Sequence, residues 1–178
     1  MANILLNLNH LKEYVKYGTI AGLFHLLMVW YFLYRSNYNT SVVLFIGSVF
    51  FMFVIMIYAL KLTKRRPDQY STWLMIIMGQ VTVVIGIVVS VIGSIVLCCF
   101  YVPEFVNGAR SDNFLLNAPG SVNVKNSGTL EFIFLTAIFV NYMAGAFISA
   151  MIAYAVKPNQ TEDQTPTIFE EPAQQRNL

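Results

Sequence analysis

The chain has 178 residues, of which 57% are hydrophobic and only 11% are charged. A soluble globular domain carries about 25% charged residues, so this composition excludes a disordered chain, a coiled coil, a disulfide-rich secreted domain and a nucleic-acid-binding domain. It indicates an α-helical integral membrane protein, and the net charge of +2 says nothing about an acidic partner.

Four apolar runs are each long enough to cross a bilayer, which takes about 20 helical residues. They predict spans over residues 17–34, 41–60, 72–101 and 130–156. Because the runs are continuous rather than alternating in polarity, they predict helices and not the strands of a barrel. The first run exceeds the apolar part of a signal peptide and no small-residue cleavage motif follows it, so we interpret it as an uncleaved span.

Polar segments separate the predicted spans and define the domain. Residues 1–158 form a predicted four-span transmembrane domain, and residues 159–178 form a predicted disordered cytoplasmic tail. Consecutive spans alternate in direction, so the expected fold is all-α: a left-handed, up-down-up-down four-helix transmembrane bundle. A polar outer loop, about 103–128, joins helices three and four. The third run would be about 45 Å long as a helix, so we expect it to tilt or protrude.

The basic residues are distributed unequally between the two sides of the membrane. With four spans, one side holds Lys12, Lys16, Lys61, Lys64, Arg65, Arg66, Lys157 and Arg176. The other side holds Arg35, Arg110 and Lys125. Cytoplasmic loops are enriched in Lys and Arg, so both termini are predicted to be cytoplasmic. The cluster from Lys61 to Arg66 either sets this topology alone or also binds anionic lipid headgroups.

Small residues recur at helical spacing on three of the four predicted helices. The helix-packing candidates are Gly18, Gly22, Gly79, Gly86, Gly93, Gly145 and Ser149. Small residues let helix backbones approach closely in lipid, so helices one, three and four are expected to make the close contacts. The bulky second helix is expected to face more lipid. The same stripes could instead serve a homo-oligomer.

Three strongly polar residues lie deep in the predicted spans: His25, Gln80 and Asn141. Such residues are costly in a membrane and are often functional. His25 could relay protons or bind a metal, but a metal site needs three or four ligands and the other histidine, His10, lies outside the span. Alternatively, His25 is structural and bonds to Gln80, Asn141 or a tyrosine. The adjacent Cys98 and Cys99 are interpreted as apolar packing residues.

Short motifs in order along the chain resemble a known family. They are the stretch 16–23 (KYGTIAGL), Gly79-Gln80 early in the third helix, and the stretch 101–105 (YVPEF) that closes it. The chain resembles domain of unknown function 4199, small four-helix membrane proteins mainly of Bacteroidota, over about residues 12–160. The third helix is more apolar and the outer loop less acidic than in that family. The resemblance implies a bacterial inner-membrane location and no assigned activity.

Three function classes follow, of which a non-enzymatic membrane protein that packs against itself or a larger partner is the first. The second is a small transporter or channel whose route is lined by the three polar residues. The third, an enzyme using His25 with Glu131, lacks support because no nucleotide-binding, metalloprotease or hydrolase motif is present. We expect no catalytic residue, cofactor, metal or nucleic-acid partner. The expected partners are the lipid bilayer and a second copy or larger membrane complex.

Overall fold

The computed structural model describes residues 8–65, 71–102 and 127–155, which are almost entirely helical and contain no strand. The elements are α1 (Leu8–Arg35), a short 3-10 helix (Tyr38–Ser41), α2 (Val42–Arg65), α3 (Thr72–Tyr101), α4 (Ser127–Leu135), a π-helical segment (Thr136–Val140) and α5 (Asn141–Ala155). The last three are continuous and together form the fourth long helix. The predicted all-α four-helix bundle is confirmed.

Contacts between named pairs fix the direction of each helix. Tyr14 near the start of α1 packs edge-on against Tyr58 near the end of α2, so these helices are antiparallel. Trp30 near the end of α1 bonds to Tyr101 at the end of α3, so these two are parallel. Phe45 early in α2 meets Phe132 in α4, which makes the fourth helix parallel to α2. The order is therefore up-down-up-down, as predicted.

The four long helices form a diamond in cross-section. Both α2 and α3 pack along α1 and also along α5, while α1 and α5 lie at opposite corners. We call one end of the bundle the Lys61 end and the other the Trp30 end. Apolar clusters fill the bundle at the Lys61 end around Tyr58, in the middle around Phe51, and at the Trp30 end around Phe32.

All four helices are long and apolar enough to cross a membrane. The candidate spans are His10–Arg35, Tyr38–Thr63, Thr72–Tyr101 and Leu130–Ala155. They match the four predicted spans in order, although the first begins before residue 17. This architecture is that of a multi-pass membrane protein. The predicted outer loop and tail lie outside the described residues.

Local hydrogen bonds explain where the helices begin and end. α1 stops because Ser36 adopts a positive φ of 45°, with its N–H donating to the Phe32 carbonyl at 3.0 Å. The side chain of Asn37 then accepts the Asn39 N–H at 3.0 Å and starts the 3-10 turn. Ser71 caps α3 by accepting the Leu74 N–H at 3.3 Å. Between α1 and α2, residues 36–41 make the turn without a glycine or proline.

The expectation that the second helix faces more lipid is wrong. In the most apolar part of its span 44% of α2 is buried, against 28% for α3. α2 lies against α1, α3 and the fourth helix, and the Phe51 ring fills the space that Gly86 and Gly145 on its neighbours leave open. In this bundle, a large side chain is therefore buried where it faces a glycine of a neighbouring helix.

Candidate functional site

Glycines of α1 and α3 lie at the crossing of these two helices. A Cβ on Gly18 would lie 2.8 Å from the Thr82 carbonyl oxygen, and one on Gly22 would lie 2.7 Å from the Gly86 carbonyl oxygen. Further along, Gly93 lies directly against the Leu26 side chain. The backbones touch because these positions have no side chain, so the predicted stripes of α1 and α3 meet each other within one chain.

The fourth helix is held by a second set of small residues. A Cβ on Gly79 would lie 2.6 Å from the Ser149 Cβ, and one on Gly145 would lie 2.6 Å from a Val83 methyl group. Gly79 and Val83 are on α3, one turn apart, and their partners on α5 are one turn apart in the opposite direction. All seven predicted packing residues therefore lie at contacts within the bundle.

Phe51 of α2 closes the centre of the bundle. Its ring edge lies where side chains at Gly86 and Gly145 would otherwise stand, with Cβ distances of 2.7 and 3.3 Å. Phe51 and Val83 are fully buried. We call these four residues, Phe51, Val83, Gly86 and Gly145, the Phe51 layer. It fills the space between α2, α3 and α5 near the middle of the bundle.

Gln80 lies on the Lys61 side of the Phe51 layer. Its Nε2 donates to the Ser149 hydroxyl at 3.1 Å, and that hydroxyl donates to the Ala146 carbonyl at 3.0 Å. The Gln80 Oε1 is buried and has no hydrogen-bond partner among the described residues. The hydrogen bond between Gln80 and Ser149 explains why the predicted packing residue at position 149 is a serine. Its side chain is small enough for α3 and α5 to pack closely, and its hydroxyl also bonds to α3.

His25 lies on the other side of the Phe51 layer and is fully buried. Its ring packs against α2 at Gly47, where an added Cβ would lie 3.3 Å from the His25 Cδ2. Neither ring nitrogen has a hydrogen-bond partner in the described part of the chain. The predicted structural bond from His25 to Gln80, Asn141 or a tyrosine is therefore wrong as far as the described residues go, since neither Gln80, Asn141 nor any described tyrosine bonds to the imidazole.

Asn141 is the first residue of α5 and is also fully buried. Its Nδ2 donates to the Ala137 carbonyl at 3.2 Å, whereas its Oδ1 has no partner among the described residues. It directly follows the π-helical segment, and its own N–H reaches back to the Thr136 carbonyl. Isolated π turns in long helices are frequent at functional sites, and nothing in the sequence predicted this one.

Serines of α3 line the same half of the interior. Ser90 and Ser94 are fully buried. The Ser90 hydroxyl donates to the Gly22 carbonyl across the helix crossing, at 3.5 Å. The Ser94 hydroxyl has no partner in the described residues. Buried hydroxyls on membrane helices normally bond to a carbonyl one turn back, so Ser94 stands out.

The basic cluster is only partly described. Lys61 donates to a Glu13 carboxylate oxygen at 3.1 Å and lies 5.1 Å from the centre of the Tyr17 ring. Lys61, predicted to set the topology or to bind lipid headgroups, therefore forms an ion pair with Glu13 of α1. Lys64 and Arg65 form the end of α2, and Arg66 lies outside the described residues.

Aromatic residues gather at the Trp30 end, a feature that the sequence analysis missed. Trp30 Nε1 donates to the Tyr101 hydroxyl at 2.7 Å, and the Trp30 ring stacks on Tyr34. Arg35 donates to the Tyr31 hydroxyl at 3.3 Å. Trp and Tyr favour membrane–water boundaries, and their positions in the sequence could have revealed this belt.

Among the described residues, the chemical groups inside the bundle are hydroxyls, amides, one imidazole and the thiol of Cys98. Within the described ranges, the buried polar residues include no carboxylate, and no three His, Cys, Asp or Glu residues lie together. Cys98 is buried in the apolar cluster around Phe32, and Cys99 is exposed; both are free thiols.

Comparison with family models, with curated proteins and with solved structures gives no match to this chain. The resemblance to domain of unknown function 4199 therefore stays a prediction. What the chain does has to be argued from its own geometry.

Proposed function

We propose that this chain is a small non-enzymatic protein of the bacterial inner membrane, with both termini cytoplasmic. In this proposal it associates through its outer face with a second copy or a larger membrane partner. The observation that carries the proposal is an apolar groove on the exposed face of α1. The small-residue stripes, by contrast, meet one another inside the bundle. Because the small-residue contacts lie inside the bundle, a partner has to bind to the outer face.

The outer face of α1 offers a shape suited to such association. A groove of about 200 Å³ is lined by Ile20, Leu23, Phe24 and Leu27. The ring of Phe24 stacks on Phe50 of α2, which holds one wall of this groove in place. A groove of this size accepts one or two apolar side chains from a neighbouring helix, and packing rather than hydrophobicity drives helix association in lipid.

Site-specific photo-crosslinking in the membrane tests the proposal. A crosslinking residue at position 23, in the groove, is expected to capture a second copy or a membrane partner. The same residue at position 84 is the matched control, because Val84 is also exposed but lies on α3, outside the groove. Native mass spectrometry would identify the product. Adducts with lipid alone at both positions, together with a strict monomer, would sink the proposal.

The second candidate, a small transporter or channel, is favoured by one observation. The three predicted route residues, His25, Gln80 and Asn141, each carry a buried polar atom without a partner in the described residues. The Phe51 layer interrupts this route between Gln80 and the other two, as a hydrophobic constriction does in a gated pore. Flux into liposomes compares the parent protein with His25→Ala and with His10→Ala as control. If His25→Ala leaves the flux unchanged, the proposed route past His25 is refuted.

A further inference from the structure

The last turns of α1 expose a row of aromatic side chains and one arginine. The exposed residues are Trp30, Tyr31, Tyr34 and Arg35. Phe32 and Leu33, which lie between them in the sequence, are buried in the apolar cluster at the Trp30 end. Residues three and four positions apart share one face of a helix, so the four exposed side chains form one outward surface. We call this surface the Arg35 face.

Two contacts with Tyr31 hold the guanidinium group of Arg35. Its Nε donates to the Tyr31 hydroxyl at 3.3 Å, and its Cζ lies 5.7 Å from the centre of the Tyr31 ring. A guanidinium has five N–H donors, four of which are on the two terminal nitrogens. Because Nε is the nitrogen that bonds to Tyr31, the fork of terminal nitrogens remains for another partner. The shape of this planar fork matches the oxygens of a phosphate.

The charge of Arg35 is not balanced by a carboxylate within the described part of the chain. Lys61, at the opposite end of the bundle, forms a 3.1 Å ion pair with Glu13. Arg35 forms no such pair with a described residue, and its side-chain hydrogen bond to the described residues is the one to Tyr31. At the Trp30 end, a positive charge is therefore held by a neutral phenol and stays available for an anion.

The bond between Trp30 and Tyr101 indicates the depth of this arginine in the membrane. Trp and Tyr favour the membrane–water boundary, and these two meet at 2.7 Å between the ends of α1 and α3. Arg35 follows Trp30 by five residues, which is about 7 Å along a helix. The headgroup region on each side of a bilayer is about 5–8 Å thick. This spacing places Arg35 among the lipid headgroups.

We propose that Arg35, oriented by Tyr31, binds the phosphate of a membrane phospholipid at the Trp30 end. The terminal nitrogens of Arg35 donate to two phosphate oxygens while the Tyr31 hydroxyl holds Nε. The phosphodiester is common to all phospholipids, so the site needs no particular headgroup. The proposal concerns one chain and the lipid around it, and it is therefore independent of whether the groove of α1 binds a partner.

A lipid fits the Arg35 face better than a free anion does. The face is open to the surroundings and holds one cation among the described residues, so it cannot enclose a soluble phosphate. A free anion would lose its translational freedom for a single pair of hydrogen bonds. A lipid phosphate is already held at this depth by its acyl chains, which raises its effective concentration beside Arg35.

Solid-state NMR that detects proximity between carbon and phosphorus tests the proposal. The full chain is isotope-labelled at the arginine Cζ and placed in vesicles of phosphatidylethanolamine and phosphatidylglycerol, in a buffer without phosphate. Arg35→Gln identifies the signal of Arg35. Lipid phosphorus is expected to dephase this signal, and an Arg35 signal without dephasing would overturn the proposal.

A second sample separates lipid phosphate from free phosphate. It contains the same chain in vesicles of a phosphorus-free galactolipid, with inorganic phosphate added to the buffer. The Arg35 signal is expected to show no dephasing there. Dephasing equal to that in phospholipid would mean that Arg35 binds a soluble anion, which contradicts a lipid site.

Two tyrosine variants test the positioning of Arg35. Tyr31→Phe removes the hydroxyl that accepts from Nε but keeps the ring, and it is expected to lose most of the dephasing. Tyr34→Phe is the matched control, because Tyr34 lies on the same exposed face and contacts Trp30 through its ring. This variant is expected to retain the dephasing. Equal dephasing in the two variants would refute the role of Tyr31, and helical circular dichroism shows that both are folded.

Discussion

Gly22 and Gly86 meet backbone to backbone where α1 crosses α3. A Cβ at Gly22 would lie 2.7 Å from the Gly86 carbonyl oxygen and 2.9 Å from the Val89 Cβ. A carbonyl oxygen cannot rotate away as a flexible side chain can, so a methyl group here has to push one helix from the other. The two glycines lie near the middle of their spans.

Gly22→Ala is therefore expected to destabilise the bundle. Overpacking costs about 1–3 kcal/mol, and the better helix propensity of alanine offsets about 1 kcal/mol of this. Gly47→Ala is the matched control, because its nearest neighbours are side-chain atoms of Met28 and His25 at 3.0–3.3 Å. Unfolding in detergent should rank Gly22→Ala below Gly47→Ala in stability. The reverse order would contradict the backbone contact.

Gly86→Leu tests the centre of the bundle. A Cβ at Gly86 would lie 2.7 Å from the Phe51 ring and 3.0 Å from the Gly18 carbonyl oxygen, so a leucine has no space. Val84→Leu, on the exposed face of the same helix, adds one methylene into lipid. We expect a loss of at least about 1–3 kcal/mol for Gly86→Leu and little change for Val84→Leu. Steric trapping in a bilayer measures both, and equal small effects would refute the assigned packing.

Tyr101→Phe tests the bond between the ends of α1 and α3. Removing the hydroxyl deprives Trp30 Nε1 of its acceptor, and a neutral hydrogen bond contributes about 0.5–1.5 kcal/mol. In a Trp73→Phe background, the fluorescence of Trp30 should shift and the unfolding free energy should fall by about this amount. Tyr154→Phe, an exposed tyrosine at the opposite end, is the control. An unchanged Trp30 spectrum would mean that the bond does not form.

The proposed orientation, with both termini cytoplasmic, is a prediction from the basic residues, and a reporter fused after Leu178 tests it. The reporter is expected to be active on the cytoplasmic side. Replacing Lys61, Lys64, Arg65 and Arg66 with glutamine should give a mixed orientation, whereas neutralising Arg110 and Lys125 should leave it unchanged. Activity only in the periplasm for the parent fusion is incompatible with the predicted orientation.

The spans could be predicted from the sequence because bilayer thickness and continuous apolar runs leave little choice. The span Thr72–Tyr101 has the predicted bounds, since Ser71 provides a cap and the polar segments lie just beyond. α1 begins earlier than its apolar run because helical hydrogen bonding continues past the membrane boundary. Glu13, at that end, is then placed to pair with Lys61.

The packing faces were harder to predict, because lipid and protein interior are equally apolar. Phe51 and Phe53 are neighbours of the same type, yet one is fully buried and the other is 46% exposed. The difference comes from glycines on two other helices, and hydrophobicity alone cannot reveal such a match in three dimensions. For the same reason the burial of His25 and Asn141 within the spans was predictable, whereas the side chains that pack around them were not.

The π-helical segment changes the direction in which the following side chains of the fourth helix point. One extra residue in a helix turns everything beyond it by about 100°. Ile133, before the segment, is buried in the cluster around Phe32, and Gly145 and Ser149, after it, face α2 and α3. In an uninterrupted α-helix, Ile133 and the pair Gly145 and Ser149 would point to different sides of the helix. The π-helical segment thus places the buried residues of both halves on the same side of one continuous helix.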